Sequence, residues 1–592
     1  MRTRTKIICT MGPAVSSYEK ILALIDAGMN GARLNFSHGS YEEHLAVIKN
    51  LKRAREEKKT SLAIILDTKG PELRIGKMQA DALPVEVGQR LRLVKDKVLG
   101  DVVHIQLVPA MAIDALDVGV KVLFDDGYII SHVVEKMGDS VVVEIENRGI
   151  LKSNKGVNIP GVQINLPAMT GQDRQDISFG CEHDIDIIAA SFIRSADHVL
   201  EIKRLLVEKG KSDIHVWAKI ENSQGVQNFE SIVQVADGIM VARGDLGVEL
   251  PLEQVPSLQK MMIRKCYHTG KPVITATQML ESMIKNPRPT RAEVSDVANA
   301  IYDSTSAVML SGETAVGLYP VETVQIMKKI IEQAEGNFNY KDFFSHDAHS
   351  NYHDVSSSVA QATVRTAYSA SAKAIFAFTS TGSTARLISR YRPEMPIVAL
   401  SPSKKTYQQL ALSWGVFPVD PMPCRNIQEA FSAVSQFCLK NDIVRFGDLV
   451  VVTAGSPFGI SGSTNMMIVE SIGDVLVRGH PGHGKRIHGK VLIALSVDGD
   501  STFSAKDKIV VISRCDDSYL PLLKHAAGIV LQNHPDDILS EKHALLLAKT
   551  LDIPMISRAQ GAVTLLQEGL LVTLDPKKGI VYKESLAGDE VS

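Results

Sequence analysis

Charged side chains follow the apolar runs of this chain at positions that suit chemistry on an anionic substrate. Four are cations and two are acids: Arg33, Arg74, Lys219, Arg243, Glu221 and Asp245. Transfer of a phosphoryl group needs cations that neutralise its oxygens. Two carboxylates, with substrate oxygens completing the octahedron, suit Mg²⁺ or the similar Mn²⁺. The pattern therefore predicts a metal-assisted site for a phosphorylated substrate.

A second group of oxygen-bearing residues follows the second and third apolar runs. It consists of Asn35, Ser37, Asp67 and Thr68. Neutral oxygens with one carboxylate suit a weakly hydrated monovalent cation better than Mg²⁺. The residues alone leave a second interpretation open, because the same types also form turns.

Eight short apolar runs carry these residues, and amphipathic stretches separate most of them. The runs are KIICT, GARLNF, LAIILD, DIIAASF, HVWAKI, GIMVA, PVITAT and AVMLS. Alternating strands and helices favour parallel βα units, and eight units close a (β/α)₈ barrel. Since active sites of such barrels lie at the carboxyl ends of the strands, the polar residues should meet at one mouth. A scaffold without function is the alternative.

Domain boundaries follow from where this α/β pattern changes. Residues 71–166 alternate apolar and polar residues around Asp-Gly turns, which predicts an inserted β domain that acts as a lid. The barrel should therefore comprise residues 1–70 and 167–340. A further α/β domain is predicted for 341–476, then a Gly- and His-rich linker at 478–490, and an additional small α/β domain within 477–592.

Composition excludes several classes of protein. A net charge of −2 gives no reason to expect nucleic-acid or membrane binding by bulk charge. No apolar run approaches the ~18–20 residues that span a bilayer. The six cysteines form no CxxC pair, which favours free thiols in a reducing cytosol and hence a cytoplasmic protein.

Nine strings in the chain resemble the pyruvate kinase family, over about residues 3–475. They are KIICTMGPA, GARLNFSHG, LDTKGPELRIG, KGVNIPG, LPAMTGQD, WAKIEN, MVARGDLGVELP, TATQMLESMIKNPRPTRAEVSDVANAIYD and VMLSGETAVGLYP. The resemblance implies transfer of the phosphoryl group of phosphoenolpyruvate to ADP, giving pyruvate and ATP in the final step of glycolysis. It also implies a homotetramer that uses Mg²⁺ and K⁺.

The resemblance also implies a role for each site residue. Lys219 stabilises the migrating phosphoryl group, Arg33 and Arg74 contact phosphate, and Thr277 lies near the carbon that is protonated. The substrate carboxylate lies against Gly244, Asp245 and Thr277, while Glu221 and Asp245 hold Mg²⁺. Asn35, Ser37, Asp67 and Thr68 hold K⁺. The nucleotide-facing positions are Pro13, Asn35, His38 and Lys155.

Three expectations go beyond these assignments. Glu72 stands where potassium-dependent members of the family carry Glu, which predicts potassium dependence. The proton reaches the substrate by Thr277 from water or from the Ser311–Glu313 pair. Because Lys219 is expected at an open mouth, replacing it should barely change stability.

A loop of hydroxyl residues between a strand and a helix predicts a phosphate site in the third domain. It comprises Ser380, Thr381, Gly382, Ser383 and Thr384, and a plain helix cap is the alternative. In the family this loop, with a Gly-rich string such as AGSPFGISGSTNMM, binds an allosteric effector. A sugar phosphate or nucleotide is expected, and the sequence does not say which.

The tail from about residue 489 resembles the phosphohistidine domain of enzymes that use phosphoenolpyruvate. His543 lies eleven residues before Pro554, as in that domain. Here Glu541-Lys542 replaces the family's Thr-Ser, and Asp536-Asp537 replaces its Gly-Gly turn. Since Glu541 would add negative charge beside a phosphohistidine, we expect His543 to be non-catalytic and the domain to be structural or regulatory.

Two other functions compete with the kinase hypothesis. A metal-dependent barrel lyase or aldolase acting on phosphoenolpyruvate or pyruvate would share the barrel, but it has no need of the monovalent-cation cluster or the lid. A non-catalytic metabolite-binding homologue would have lost Lys219, Glu221, Asp245 or Thr277, and all four are present.

Overall fold

The computed structural model describes residues 3–80, 82–347, 354–458, 462, 464–496 and 504–583. These residues form two compact units. One comprises Met1–Val364, Ala377–Ala430 and Thr453–Met466, and the other comprises Arg365–Phe376, Phe431–Val452 and Met467–Ser592. The four predicted domain boundaries stay a prediction.

The strands of the barrel and its insert follow one another along the first unit. The barrel begins with β1 (Lys6–Met11), β2 (Gly31–Asn35) and β3 (Ala63–Asp67). The insert contributes β4 (Leu73–Ile75), β5 (Leu83–Val85), β6 (Arg90–Val94), β7 (His104–Val108), β8 (Lys121–Phe124), β9 (Ile129–Met137), β10 (Ser140–Ile145), β11 (Gly149–Leu151) and β12 (Gly156–Asn158). The barrel resumes with β13 (Ile187–Ala190), β14 (His215–Ile220), β15 (Gly238–Ala242), β16 (Val273–Ala276) and β17 (Ala307–Leu310).

The eight predicted barrel strands are confirmed, and all neighbours pair in parallel. The closed order is β1-β17-β16-β15-β14-β13-β3-β2. Large apolar side chains such as Ile8, Ile65, Trp217 and Met240 fill its interior. The interior is therefore a packed core, and chemistry is confined to the rim.

Helices surround the barrel and cover its apolar outer face. They are α1 (Tyr18–Ala27), α2 (Tyr41–Glu57), α3 (Gly171–Glu182), α4 (Ala196–Glu208), α5 (Ser223–Gln227), α6 (Phe229–Val235), α7 (Arg243–Glu249), α8 (Val255–His268), α9 (Arg291–Tyr302), α10 (Gly312–Ala315) and α11 (Pro320–Gly336). Side-chain caps such as Ser17, Ser40 and Thr290 fix where several of them begin.

The predicted β insert is confirmed as a second closed barrel with its own apolar core. Its order is β10-β6-β7-β4-β12-β8-β9, and β11 pairs with β5 beside it. One buried acid joins the two ends of the insert. Asp173, in the first turn of α3, accepts the amide of Gly70 at 2.9 Å and the amide of Thr170 at 2.8 Å. The entering and leaving segments are therefore fixed to each other.

Alternating helices and strands continue beyond the barrel. The helices are α12 (Tyr340–Asp347), α13 (Val355–Ser369), α14 (Ser383–Ser389), α15 (Lys404–Gln409) and α16 (Ile427–Lys440). The strands are β18 (Ala374–Phe378), β19 (Ile397–Leu400), β20 (Val416–Val419), β21 (Leu449–Ala454) and β22 (Met466–Ser471). Parallel pairing of β19 with β20 confirms the predicted α/β class of this region.

The C-terminal part is a seven-stranded mixed sheet, with helices among its described residues. Its strands are β23 (Asp474–Arg478), β24 (Ile487–Ile493), β25 (Lys508–Ile512), β26 (Gly528–Leu531), β27 (Met555–Ile556), β28 (Leu571–Asp575) and β29 (Ile580–Lys583). Their order is β23-β29-β28-β24-β25-β26-β27. The helices are α17 (Leu520–Leu523), α18 (Ile538–Leu551) and α19 (Ala562–Leu565).

The predicted linker at 478–490 overlaps two strands of that sheet: Arg478 ends β23 and Ile487–Lys490 belong to β24, while the residues between them bond to neighbouring backbone of the same unit. Its glycines allow close backbone contact: the amide of Gly479 donates to Gly579, and the amide of Gly482 donates to Pro576. A Cβ on Gly482 would overlap the carbonyl oxygen of Met555. Here glycine marks close packing, whereas the same composition also occurs in flexible linkers.

Among the described residues, no helix is both long and apolar enough to cross a membrane.

Candidate active site

Lys219 lies at the centre of a polar cluster at the carboxyl end of β14. Its Nζ is 2.9 Å from Asp67 Oδ1, 3.0 Å from Glu221 Oε1 and 2.7 Å from the hydroxyl of Ser191. Burial alone would lower the pKa of Lys219, but the two carboxylates outweigh it and raise the pKa above its usual range. Lys219 is therefore a fixed positive charge.

This burial corrects the expectation that Lys219 is an exposed lysine at an open mouth. Only 8% of the residue is accessible to solvent. Removing it would leave two acids without their cation in a buried place, which destabilises a protein strongly. The sequence could not show this, since the partner Asp67 is distant along the chain.

Asp67 holds a second cation next to Lys219. Its Oδ2 is 2.5 Å from Nε of Arg33, whose Nη1 donates to Thr10 Oγ1 at 3.1 Å. Burial would raise the pKa of Asp67, but Arg33 and Lys219 together hold it below its usual value. One ionised carboxylate thus fixes two cations at the same mouth.

Glu221 and Asp245 form the acidic side of the cluster. Glu221 is buried, and its Oε2 accepts the amide of Phe192 at 2.6 Å. Burial and then the charge of Glu221 raise the pKa of Asp245 to about 7. A divalent cation between the two would relieve this repulsion. In the part of the chain that the structure describes, no three His, Cys, Asp or Glu side chains form a metal site, so other oxygens would complete the coordination.

Thr277 has a strained backbone that neighbouring groups hold in place. Its φ is +67°, in the left-handed region that a β-branched residue rarely adopts. Nη2 of Arg243 donates to its carbonyl at 2.7 Å, and Asp296 pairs with the same guanidinium at 2.7 Å. The Thr277 hydroxyl accepts the amide of Gly244 at 2.9 Å. The strand end and the start of α7 are therefore joined at this hydroxyl.

The four predicted monovalent-cation ligands lie at the ends of the paired strands β2 and β3. Asn35 is in register with Asp67. Its Oδ1 accepts the amide of Ser37 at 3.1 Å, while the carbonyl of Thr68 accepts the Ser191 hydroxyl at 2.6 Å. The structure places Asn35 beside Asp67, and it also shows the Asn35–Ser37 turn of the alternative interpretation, so the monovalent-cation site stays a prediction.

A cavity of about 360 Å³ lies between this mouth and the β insert. Asp245, His38, Arg74 and Lys155 line it. On the insert side, Arg74 Nε donates to Glu72 at 2.7 Å. Pro13 is exposed in the turn after β1 and does not line this cavity.

Three cavity or cluster residues were missed by the sequence analysis. Ser191 bridges Lys219 and the Thr68 carbonyl, and it could have been recognised as the polar residue near the end of the fourth apolar run, DIIAASF. Arg194 lines the cavity and donates to the carbonyl of Phe192 at 3.1 Å. Asn222 also lines it, and its buried Nδ2 has no hydrogen-bond partner.

Glu313 does not form the suggested proton relay with Ser311. It is fully buried, and its two carboxylate oxygens accept the amides of Leu280 at 3.0 Å and Ser311 at 2.7 Å. Its role is to fix two loops at the mouth. The route from water by Thr277 stays a prediction.

Comparison with known proteins assigns the family. The barrel domain of pyruvate kinase matches residues 2–324, its alpha/beta domain matches 357–470, and the mobile domain of PEP-utilising enzymes matches 504–579. The pyruvate kinase of Geobacillus stearothermophilus is 42% identical over 98% of this chain and 99% of its own. The chain belongs to the pyruvate kinase family. The predicted family, enzyme class and glycolytic function are thereby confirmed.

Two further relatives agree with this assignment. The pyruvate kinase of Bacillus licheniformis is 43% identical over 98% of this chain and 99% of its own. The crystal structure of a pyruvate kinase from Cryptosporidium parvum superposes with a TM-score of 0.77 at 36% identity. It covers 80% of this pyruvate kinase and 96% of its own chain.

The predicted effector loop of this pyruvate kinase lines a separate cavity of about 80 Å³. Ser380, Thr381, Ser383 and Thr384 contribute to it, and Gly382 adopts φ +83° at the start of α14. The Thr384 and Thr464 hydroxyls are 2.6 Å apart. Of the Gly-rich string that follows β21, residues 459–461 and 463 lie outside the described residues.

The acidic side chain next to His543 is Asp517 and not Glu541, which the sequence analysis predicted. Glu541 points to Arg558, with oxygen–nitrogen distances of 2.9 and 3.0 Å. The carboxylate that faces His543 is Asp517, 3.2 Å from Nε2. Residues two apart on a helix face different directions, which explains the error. That His543 is non-catalytic stays a prediction.

Proposed function

We propose that this chain transfers the phosphoryl group of phosphoenolpyruvate to ADP at the mouth of its (β/α)₈ barrel. The observation that carries the proposal is the position of Lys219, within 3.0 Å of Glu221 and of Asp67, which also holds Arg33. Two fixed cations beside an acidic pair suit the transfer of a phosphoryl group between two anionic substrates.

Glu221 and Asp245 are proposed to hold a divalent cation, Mg²⁺ or Mn²⁺. Their donor set fits, because both are carboxylates, and burial together with their mutual repulsion raises the pKa of Asp245. Such an ion, when bound, neutralises charge on phosphate and carboxylate oxygens. The protein positions it through the Phe192 amide, which fixes Glu221.

Asn35, Ser37, Asp67 and Thr68 are proposed to hold K⁺. All four offer oxygen, and Asp67 already shares its charge with Arg33 and Lys219. Since little negative charge remains, a monovalent ion fits better than a divalent one. Its contribution when bound is one more positive charge next to the substrates.

The remaining groups orient the substrates. Arg74 and Lys155 on the insert, with His38 on the barrel, line the cavity that would receive the nucleotide phosphates, and Asn35 and Pro13 are proposed to face the nucleotide. Gly244, Asp245 and Thr277 are proposed to bind the substrate carboxylate. After transfer, Thr277 would pass a proton from water to the methylene carbon of enolpyruvate.

A coupled assay tests the proposal. Purified protein is given phosphoenolpyruvate, ADP and Mg²⁺, with K⁺ or with tetramethylammonium at equal ionic strength. We expect pyruvate and ATP to form in equal amounts, with a clear requirement for Mg²⁺ and stimulation by K⁺. Pyruvate without ATP would favour a lyase or hydrolase, and binding without turnover would favour a non-catalytic homologue. Either result would overturn the proposal.

Effector binding and assembly are part of the same proposal. The loop Ser380–Thr384 is proposed to bind a sugar phosphate or nucleotide, since hydroxyls line its cavity. Repeating the assay with fructose 1,6-bisphosphate, AMP and ribose 5-phosphate identifies the effector. Sedimentation velocity tests the proposed homotetramer, and fractionation of cells tests the cytoplasmic location.

A further inference from the structure

A second large cavity, of about 380 Å³, lies near the amino end of β14, the strand whose other end carries Lys219. On the barrel side it is lined by residues of α4 and of the segment that leads into β14, including Ser212 and His215. On the other side it is lined by Arg386 of α14 and by Ser403, which begins α15. No part of the proposed mechanism uses this cavity.

Arg386 is the cation in this cavity that lacks a counter-ion. Its Nη2 donates to the carbonyl of Thr381 at 3.1 Å. Within the described ranges it forms no ion pair with a carboxylate, and burial lowers its pKa. A guanidinium enclosed in this way without a carboxylate is costly, so an anionic partner would be strongly favoured.

Four other charged residues, Lys203, Asp213, Asp237 and Lys405, also line the cavity, and three of them form ion pairs. Asp237 pairs with Lys203 at 2.9 Å and accepts the amide of Val216 at 2.8 Å. Lys405 pairs with Asp184 at 3.0 Å. The charge of Asp237 favours the charged form of Arg386, but burial outweighs it, and among the described residues no carboxylate forms an ion pair with the guanidinium, which can therefore bind an anion from solution.

Uncharged hydrogen-bonding groups complete the lining. Burial and the charge of Arg386 lower the pKa of His215 to about 3, so the imidazole is neutral and able to donate or accept one hydrogen bond. The hydroxyls of Ser212, Thr381 and Ser403 also line the cavity. A set of one strong cation and several hydroxyls is typical of sites for phosphate esters.

We propose that this cavity binds a small phosphate monoester, with its phosphate on the Arg386 guanidinium and its organic part along the hydroxyl-lined wall. The planar fork of arginine matches two phosphate oxygens, which a single lysine cannot do. The volume exceeds that needed for inorganic phosphate alone and suits a small organic phosphate.

This site differs from the hydroxyl loop cavity, although Thr381 lines both. Ser383 belongs only to the smaller cavity, whereas Ser212 belongs only to the larger one. Substitutions at these two serines therefore separate the two sites.

A charge-insertion pair tests the proposal in the full-length protein. Ser212 is exposed at the rim, so Ser212→Glu adds a negative charge next to the bound phosphate, and Ser212→Gln is its uncharged match. Binding of glycerol 3-phosphate and of inorganic phosphate is measured by titration calorimetry. We expect the ester to bind Ser212→Glu about tenfold more weakly than Ser212→Gln. Binding of anions at other sites is the same in both variants, so it does not contribute to the difference between their affinities.

Two further variants make the outcome decisive. Ser383→Glu should leave this binding unchanged, and Arg386→Gln should abolish it without a large change in the melting temperature, because the half-buried charge that is removed has no carboxylate partner among the described residues. Equal affinities in the two Ser212 variants, or loss of binding in Ser383→Glu, would overturn the proposal. Binding of inorganic phosphate without binding of the ester would overturn the assignment to a monoester.

Discussion

At the scale of single residues, the site depends on cations whose charges are fixed by buried acids. Asp67 fixes Arg33 and Lys219, and Glu221 contacts Lys219 from the other side. Because these charges are already held in place, they need little reorganisation during the reaction. Ser191 is the neutral member of this group.

Ser191→Ala should lower kcat/KM about tenfold, because Lys219 and the Thr68 carbonyl each lose a hydrogen bond at the site. Ser131→Ala is a matched control: Ser131 is also fully buried, and its hydroxyl donates to Val122 within the β insert. Steady-state kinetics and thermal melting of both variants check this. Equal kinetic effects in the two variants would show that Ser191 has only a structural role.

At the scale of elements, the carboxyl end of each strand brings distant residues together, and short polar contacts fix the loops that follow. The clearest case is Asp173, which joins the two ends of the β insert through Gly70 and Thr170. The Thr170 hydroxyl also donates to it, at 2.7 Å. This junction fixes where the insert is attached to the barrel.

Asp173→Asn should reduce the free energy of unfolding by about 1–3 kcal/mol, because one amide oxygen cannot accept the bonds that two carboxylate oxygens accept. Glu43→Gln is the control, since Glu43 caps α2 in the same way but joins no second segment. The Glu43→Gln substitution should reduce the free energy of unfolding by less than ~1 kcal/mol. Urea unfolding measures both, and equal losses would contradict the role of Asp173 as a junction.

The glycines of the segment between β23 and β24 are the second test at this scale. Gly482→Ala should destabilise the C-terminal sheet by several kcal/mol or prevent its folding, because the new Cβ overlaps the backbone at Met555. Gly336→Ala is the control, since a Cβ there meets nothing within 4 Å. Resistance to limited proteolysis and the melting temperature are measured for both variants. Unchanged resistance of Gly482→Ala would show that the segment is a linker after all.

Most of the fold could be predicted from the sequence, because the barrel strands are continuous apolar runs and the insert alternates with period two. The structure of the segment at 478–490 could not be predicted, because a stretch rich in glycine and histidine has no hydrophobic period. Its glycines allow close packing, which the sequence does not show. The predicted site residues converge because they follow the carboxyl ends of parallel strands, and these ends lie at one rim of the barrel. Ser191 was missed although it lies near the end of an apolar run, and Arg194 and Asn222 were missed because only the folded structure shows that they line the cavity.

At the scale of the whole molecule, one reaction site and two separate cavities lie on the same compact unit. The proposed monoester cavity is lined by His215, at the first residue of β14, and Lys219 is near that strand's last residue. The hydroxyl loop precedes α14, which carries Arg386. A ligand in the monoester cavity would therefore contact the strand that carries Lys219, and α14 connects the hydroxyl loop to that cavity.

The central claim is that the strand ends of the barrel place one buried lysine where a phosphoryl group is transferred. Its most direct test is the initial rate of Lys219→Met in the coupled assay, measured at a temperature where melting shows the variant to be folded. Lys271→Met is the control, because Lys271 is a half-buried lysine that donates to the Ala236 carbonyl away from the site. We predict that the initial rate of Lys219→Met is lower by a factor of about 10²–10³, while the initial rate of Lys271→Met is unchanged. Near-normal turnover of folded Lys219→Met would contradict the account.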